Sequence, residues 1–515
     1  MRSTFMGLET SRSGLFTQQS ALYTTGHNIS NANTLGYSRQ RVNMQATPGF
    51  PTAGLNTPYF PGHMGTGVEA HSVQRIRDEF VDRQFRQETN KLGYWQSTTK
   101  SISQMEDIMS EPSEFGINQA FTEFWKSMED VIADPKDTAA RQVMISKGQS
   151  LAESFNYMDT QLKLIQGNIG NEINVVTGEA NSLLKQIADL NRQIQSIEPN
   201  GYMPNDLYDA RDILLDRLNE IIPVSISYEK SGGNALAIAE GSMTVIFRPT
   251  NGSAAIELVK GKDYTTLQTL DTADQAINGE VDEPNTNGYF GFKEISVVGI
   301  DGTTSPINYN QLEPSKGKLL SLIDAYGHSN GKGIYPEMLT QLDLLANEFA
   351  TVFNTQHKLG ADLNGDMGED FFVINNTTST AITARNISVG IKEPKKLAVS
   401  DTPGEESNNK NMLTLSALQS AVQGNLQGGT FQTFYKSLIG DLGVKGQQAK
   451  TLEFNTTTIH LQIENNRAAH NSVSLDEEMT NMITFQQAYN ANARMITLID
   501  ETLDKIINGM GRVGL

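Results

Sequence analysis

The sequence predicts a multidomain α+β protein, in which terminal coiled-coil helices and a long-helix bundle domain frame a β-rich outer domain inserted in the middle. Three observations lead to this class. The chain has 515 residues, more than one hydrophobic core usually supports. Apolar residues recur every seven positions at both ends, which is typical of helices that pack against helices. From Val224 the apolar period changes to two, which is typical of β-strands.

Both ends of the chain carry a heptad stripe, and we expect the ends to pair with each other or with neighbouring copies. Residues 1–50 hold four arginines and one glutamate, whereas residues 471–515 hold six acidic and three basic residues, so opposite charges favour this pairing. The candidate assembly residues are Leu8, Leu15, Leu22 and Ile29 at one end and Leu475, Met482, Tyr489, Ile496, Leu503 and Met510 at the other. Near the C-terminal stripe, Phe485, Ile499 and Ile506 widen the apolar side, and the Gln486 amide can hydrogen-bond between helices.

A helical body follows the N-terminal helix, which we expect over about residues 3–23. The helical period resumes at Arg75 and is interrupted by Pro112. A further helix over 115–132 ends before Pro135, because proline disfavours helix in the residue that precedes it. The first part of the body is therefore predicted to contain several helices in succession.

The longest predicted element covers residues 151–197. Its apolar residues recur every three or four positions, with one doubled step of four at Ile165, Ile169 and Ile173. Such a stutter locally unwinds a coiled coil, and nearby glycines such as Gly170 predict a kink or break there. At 1.5 Å per residue the element would reach about 70 Å, which indicates a rod.

The predicted domains follow these changes of period. An N-terminal axial helix and loop over 1–70 pairs with a C-terminal axial helix over 460–515. A helical bundle domain covers 71–225 and is completed by about 316–360 and 401–459. Between these parts lie an inserted β-rich outer domain over 226–315 and a small β-rich segment over 361–400.

The overall composition excludes several classes of function. A net charge of −19 with a pI near 4.9 argues against a nucleic-acid surface, which requires clustered lysine and arginine. No run approaches the roughly 18 apolar residues of a membrane span, so no membrane insertion is expected. The first 25 residues are too polar for a signal peptide, so export would proceed without a cleaved signal. The chain has no cysteine, which excludes disulfides and thiolate metal sites.

No catalytic constellation is present at the spacing that chemistry requires, so the chain is not expected to be an enzyme or to hold a cofactor or metal. The seven histidines form no HExxH motif. The segment over 362–370 places Asp362, Asn364 and Asp366 at alternate positions, as in a calcium loop, but Met367 and Val373 replace the glycine and the carboxylate that an EF-hand needs. A turn is favoured there, and calcium binding stays an open alternative.

Two motifs at opposite ends resemble one protein family. Residues 28–39 (NISNANTLGYSR) resemble the signature that flagellar rod, hook and hook-associated proteins carry after their first helix, and residues 474–496 (SLDEEMTNMITFQQAYNANARMI) are similar to the matching C-terminal end. Finer similarity to the hook-filament junction members covers RIRDEFVDRQFRQE (75–88), DPKDTAARQ (134–142), the LNRQI and NDLYDARDILLDRLNE segments (within 190–220) and DLNGDMGEDFF (362–372).

The resemblance implies a structural component of the bacterial flagellum, which joins hook to filament through self-assembly of its terminal helices into a tubular junction. It implies extracellular localisation after export through the flagellar type III channel. The implied partners are the flagellar hook protein, hook-associated protein 3, other copies of the chain, and an export chaperone at the C-terminal helix. The alternatives are a hook or other axial protein of the same family, or an axial scaffold that carries an enzyme domain.

The N-terminal motif also has a local interpretation. The run Asn28, Asn31 and Asn33 ends at Gly36 and Tyr37, and asparagine and glycine tolerate left-handed backbone and are typical of helix ends and turns. A helix exit is therefore one interpretation of these residues. A dedicated contact to neighbouring subunits is the other, and the two are compatible.

Overall fold

The computed structural model describes residues 5–50, 64–109, 116–249, 254–277, 291–299, 301–312, 316–328, 331–375 and 381–509. Met510, the last residue of the predicted C-terminal stripe, lies outside these ranges. The described chain is mostly helical, with small antiparallel sheets between the helices. The predicted α+β class, with long terminal helices and a central β-containing region, is confirmed.

Long helices form both ends of the chain and most of its body. In chain order the helices are α1 (Met6–Ser30), α2 (Glu79–Met109), α3 (Ile117–Ala133), α4 (Thr138–Ile197), α5 (Asn205–Ile221), α6 (Tyr309–Leu312), α7 (Lys318–Tyr326), α8 (Ile334–His357), α9 (Lys410–Ala417), α10 (Phe431–Asn471) and α11 (Leu475–Asp504).

The strands lie between these helices in antiparallel sheets. They are β1 (Gln40–Ala46), β2 (Val68–Arg75), β3 (Ser225–Glu229), β4 (Ser242–Phe247), β5 (Ile256–Lys260), β6 (Asp263–Tyr264), β7 (Thr266–Asp271), β8 (Phe292–Val298), β9 (Thr304–Asn308), β10 (Phe372–Ile374) and β11 (Ile387–Val389). The sheet orders are β1-β2, β3-β4-β5-β6, β7-β8-β9 and β10-β11.

Helix α4 is the longest element and the axis of the body. The Asp137 side chain accepts a hydrogen bond from the Ala139 N–H (2.8 Å) and caps its first turn, so the helix begins earlier than the sequence predicts. It stays helical through Gly170, where a break was one expectation. Buried residues recur along its whole length, so packing on several sides stabilises the helix despite its glycines.

The two central sheets, β3-β4-β5-β6 and β7-β8-β9, are attached to the second half of α4 by asparagine side chains. The Asn191 amide donates to the Met243 carbonyl (2.7 Å) and accepts from the Met243 N–H (3.0 Å). Asn181 makes the same pair of bonds with Leu267, at 2.8 and 2.7 Å. Because each amide pairs with a strand as a peptide group would, the sheets are bonded directly to the helical body.

An aromatic cluster forms the core at the other end of α4. Phe121 and Phe124 of α3 meet Phe349 and Phe353 of α8, with the Phe121 and Phe349 rings edge to face at 5.0 Å between centroids. Phe371 joins this cluster from the segment before β10. Edge-to-face packing of buried rings adds to the burial of apolar surface, so this part of the body has a tightly packed core.

The N-terminal region differs from the sequence prediction in two respects. Helix α1 continues past the predicted end near residue 23, because Thr24 and Thr25 are buried against the rest of the protein and extend the packed face. The β1-β2 hairpin was not predicted, because both strands are rich in polar residues and lack an alternating apolar pattern. The Thr17 hydroxyl donates to the Val68 carbonyl (3.1 Å) and joins the hairpin to α1.

Candidate functional site at the terminal helices

The two ends of the chain pair in antiparallel fashion within one subunit. Three contacts define the register: Gly7 against Ile499, Gly14 against Asn492, and Asn28 against Glu478. From the first contact to the second both helices advance by seven residues, and from the second to the third by fourteen, forward in α1 and backward in α11. We call α1 and α11 the terminal pair.

The seam of α1 lies one residue before the stripe that the heptad pattern predicts. Leu8, Leu15, Leu22 and Ile29 are half-buried, whereas the buried positions of α1 are Ser11, Gly14, Thr17, Ala21, Thr24, Thr25 and Asn28. The reason is steric. A Cβ added at Gly14 would lie 3.0 Å from the Asn492 amide, so small side chains allow the close approach of α11 on one side and of the hairpin on the other.

On α11 the predicted residues fall into two groups. The half-buried group is Met482, Phe485, Tyr489, Ile496, Ile499 and Leu503, and the exposed group is Leu475 and Gln486, together with Ile506 in the π-helical turn that follows α11. Glu478 is the one buried residue of this helix. The terminal pair therefore covers its apolar side chains only in part.

Asn28 closes the base of the terminal pair. It is 1% exposed, and its amide nitrogen donates to the Gln40 carbonyl (2.8 Å) and to Glu478 Oε2 (3.1 Å). Its amide oxygen accepts from the Gln40 N–H (3.0 Å) and from the Tyr37 hydroxyl (2.8 Å). One side chain thus connects the end of α1 with β1 and with the first turn of α11. The sequence indicated Asn28 as part of an asparagine-rich helix exit, but not as the residue that connects the two ends of the chain.

The turn that follows α1 contains the predicted residues Asn31, Asn33, Gly36 and Tyr37, and two of them have a clear structural role there. The Asn31 amide donates to the His27 carbonyl (3.0 Å) at the helix end. Gly36 has φ +76°, and a Cβ there would lie 2.4 Å from the Ile213 side chain, so glycine is required. Burial, together with nearby carboxylates, raises the pKa of Tyr37. Asn33 is exposed, and a contact to neighbouring subunits stays a prediction for it.

Arg39 joins this turn to the start of α11. Its Nε donates to Glu478 Oε1 (2.7 Å) and its Nη1 to Glu477 Oε2 (2.8 Å). Its backbone N–H donates to the Asn471 carbonyl (2.9 Å) at the end of α10. The sequence offered a signal for this contact, since the opposite charge of the two ends comes partly from these residues.

A buried ionic cluster connects the hairpin with the body directly beside this turn. It comprises Arg75, Arg77, Arg86 and Arg467 with Asp82, Asp209, Asp212, Asp216 and Glu240. These side chains come from β2, the link between β2 and α2, α2, α5, α10 and the segment before β4. The hydrogen bond from the Ser38 N–H to Asp209 (3.0 Å) links the cluster to the turn after α1.

Asp212 lies at the centre of this ionic cluster. It accepts from Arg75 Nη1 (2.9 Å), Arg86 Nη2 (3.2 Å) and Arg77. Burial alone would raise the pKa of Asp212, but the three guanidinium groups outweigh burial and hold that pKa well below its usual range. The aspartate therefore stays ionised, and the cluster fixes the direction in which the hairpin and terminal pair leave the body. In the sequence these segments carried only a family resemblance. The available signal was the spacing of Asp209, Asp212 and Asp216 on one helix face.

The described residues offer no metal centre. No group of three or more histidine, aspartate or glutamate side chains there is placed to hold a metal ion. In the candidate calcium segment, Asp362 Oδ1 accepts from the N–H groups of Asn364 (2.8 Å) and Asp366 (2.9 Å), which is the geometry of a turn. Among the helices of the described chain, none is long and apolar enough to cross a membrane.

Comparisons with known protein families match three parts of the chain. Residues 102–372 match the family described as flagellar hook-associated protein FlgK helical domain. Residues 8–37 match the family of flagella basal body rod proteins, and residues 471–509 match the C-terminal region of the flagellar basal body rod FlgEFG proteins. The two terminal matches fall on the segments that form the terminal pair and its base.

Relatives resemble the chain over nearly its whole length. Flagellar hook-associated protein 1 of Bacillus subtilis (strain 168) is 41% identical over 523 residues, which cover 99% of each chain. Flagellar hook-associated protein 1 of Escherichia coli (strain K12) is 26% identical over 96% of this chain and 98% of its own length. The solved structure of the flagellar hook junction protein FlgK from Burkholderia pseudomallei shares the fold, with a TM-score of 0.61 at 15% identity over 76% of this chain and 100% of its own. The resemblance seen in the sequence is thereby confirmed, and the chain belongs to the flagellar hook-associated protein 1 family.

Proposed function

We propose that this member of the hook-associated protein 1 family, a structural component of the flagellum, joins hook to filament by docking its terminal pair against the terminal helices of adjacent subunits in a tubular junction. The observation that carries the proposal is the incomplete burial of the terminal pair. Tyr23 of α1 is 77% exposed, and Ile483 and Leu498 of α11 are each 54% exposed. Exposed apolar side chains aligned along two helices are typical of surfaces that another protein covers.

The proposed neighbours are the flagellar hook protein on one side, hook-associated protein 3 on the other, and further copies of this chain around the tube. The Leu8 to Ile29 stripe supports this arrangement, because it is half-buried on α1 beside the seam and remains partly available. Burial of such surface at about 25 cal/mol per Å² would favour the assembled state. No observation favours a hook subunit or an enzyme domain as a second candidate.

Before assembly the same surface requires protection. We infer that the chain is exported without a cleaved signal peptide and becomes extracellular, and that an export chaperone covers the C-terminal helix until then. The exposed side chains Met479, Ile483 and Leu498 on α11 supply the apolar surface that such a chaperone would bind. Loss of chaperone affinity in Ile483→Asp/Leu498→Asp, measured by calorimetry, is the expected result.

Two matched double variants test the docking proposal. Ile483→Asp/Leu498→Asp changes exposed side chains and should leave the terminal pair intact, whereas Ile496→Asp/Leu503→Asp changes half-buried side chains and should separate the two helices. We expect both to abolish filament attachment in cells that lack the native gene, as counted by electron microscopy. Circular dichroism should show a folded body in both.

The control is Leu164→Asp, which places a charge at an exposed leucine of α4. Normal filament numbers are expected for it. The docking proposal fails if cells with Ile483→Asp/Leu498→Asp still carry filaments in normal number.

A further inference from the structure

A cleft lies beside the ionic cluster, between the helical body and the first central sheet. Helices α2 and α5 and strand β3 contribute its walls, and its volume is about 840 Å³. This is within the size of cavities that hold ligands or peptide side chains, which is roughly 300–1,000 Å³. No residue of the terminal pair lines this cleft.

The charge of the cleft is opposite to that of the protein. Seven cationic and four anionic side chains line it, although the whole chain has a net charge of −19. Arg75, Arg77 and Arg86 belong to the ionic cluster and are already paired. Lys91 pairs with Glu88 at 2.6 Å. These four cations are therefore compensated within the subunit.

Three further cations of the lining have no ion pair among the described residues: Arg83, Arg248 and Lys316. Arg248 Nε donates to the Ser225 hydroxyl (3.0 Å), and Lys316 Nζ lies 4.2 Å from the centroid of the Tyr94 ring. Glu79 is the one lining carboxylate that forms no ion pair within the described chain. Lys316 also interacts electrostatically with the Asp324 carboxylate, so Arg83 and Arg248 are the lining cations that are most available to a partner.

We propose that this cleft binds a carboxylate-rich loop of an adjacent subunit of the axial structure, an inference that rests on the proposed function. Two of the free cations are guanidinium groups, whose planar donors suit carboxylates. The amide of Gln87, an exposed residue of the lining, can hydrogen-bond a peptide backbone.

This chain itself carries a loop of this chemistry. In this chain the exposed segment over 401–408 carries Asp401, Glu405 and Glu406. A loop bound in the cleft would contact α2 of the body and β3 of the sheet together. Complementary charge of this kind chiefly sets the partner and the orientation of docking.

Reconstitution onto isolated hooks tests the inference. The full-length protein is added to purified hooks that lack it, and the bound amount is measured against concentration for wild type, Arg83→Glu/Arg248→Glu/Lys316→Glu and the control Lys185→Glu. Lys185 is exposed on α4 and does not line the cleft. The triple variant should need about ten-fold more protein for half-saturation, and the control should match wild type. An unchanged triple variant contradicts the inference, whereas failure of wild type to bind contradicts the proposed function instead.

Crosslinking identifies the occupant. A photoreactive residue replaces the exposed Gln87 in the full-length chain, flagella are assembled and irradiated, and the crosslinked peptide is sequenced. We expect a peptide from an adjacent axial subunit with several aspartate or glutamate residues. A peptide without acidic residues, a nucleic-acid adduct, or no crosslink in flagella that assemble normally would overturn the inference.

Discussion

The long helix of the body and the last helix of the chain are built alike but are buried very differently. Both α4 and α11 repeat apolar residues at helical spacing. Yet α4 has 25 buried residues among 60, whereas α11 has Glu478 as its one buried residue among 30. Helices in proteins are stabilised mainly by the burial of one face. The body thus buries its core within one subunit, and the incomplete burial of α11 fits the proposal that neighbouring subunits cover the terminal pair.

The contrast extends to the chemistry of the two contacts. The body buries phenylalanine rings against one another, whereas α1 presents glycine, alanine, serine and threonine to its neighbours in the same subunit. Small residues allow close approach but bury little apolar area. Only at its base, where Asn28, Arg39 and Glu478 meet, does the terminal pair have a dense set of bonds. The pair is thus fixed in direction at one end and less firmly held along its length.

The largest expected effect comes from truncating the core of the body. Phe349→Ala should lower the free energy of unfolding by about 3–5 kcal/mol, because it removes a fully buried ring and leaves a cavity. Leu498→Ala on α11 should change it by less than about 0.5 kcal/mol, because that side chain is half exposed. Urea unfolding followed by circular dichroism measures both. Similar losses in the two variants would remove the contrast between body and terminal pair.

A comparable effect is expected at the ionic cluster. Asp212→Asn leaves Arg75, Arg77 and Arg86 buried with one carboxylate fewer, which should cost about 3–5 kcal/mol. The melting temperature should fall, and limited proteolysis should cleave faster between α1 and β1. Asp189→Asn is the matched control, because its ion pair with Arg192 is exposed and should contribute less than about 1 kcal/mol. Equal melting temperatures for the two variants would show that the cluster does not stabilise the connection between the hairpin and the body.

A smaller and pH-dependent effect is expected in the body. Burial lowers the pKa of His357 to about 4, and the neutral ring donates from Nδ1 to the Glu369 carbonyl (2.7 Å) and accepts from the Ala398 N–H (3.0 Å). Because the unfolded chain takes up this proton near pH 6.5, stability should fall as the pH drops from about 6.5 to 4, by up to about 3 kcal/mol.

The control for this pH dependence is His357→Gln, which lacks the titrating ring. Asp343, whose pKa is raised to about 6 mainly by burial, favours the folded state at low pH and acts in the opposite direction. Since Asp343 is present in both proteins, the difference between their pH profiles reports His357. Parallel profiles between pH 4 and 6.5 would contradict the assignment.

The sequence predicted the elements whose burial follows a simple period. The apolar spacing of α4 and the change of period after Pro223 led to the helical body and the inserted strands. The β1-β2 hairpin carried no such pattern, because its strands are polar and are held by α1 rather than by a buried face.

The candidate site was predictable only in outline. The heptads and the opposite charges of the ends indicated that α1 and α11 pair, but the seam of α1 passes through Gly14 and Asn28, which apolar periodicity cannot detect. The partners of Asp212 lie far from it in the chain, on β2 and α2, so their convergence is a product of the tertiary fold.

Hydrogen exchange of the subunit, free and assembled, tests the central claim most directly. In the free subunit the amides of α11 should exchange much faster than those of α4, because few buried contacts oppose local opening. In assembled junctions α11 should become protected to a level near that of α4. The account is contradicted if α11 is as protected as α4 in the free subunit, or if assembly leaves its exchange unchanged.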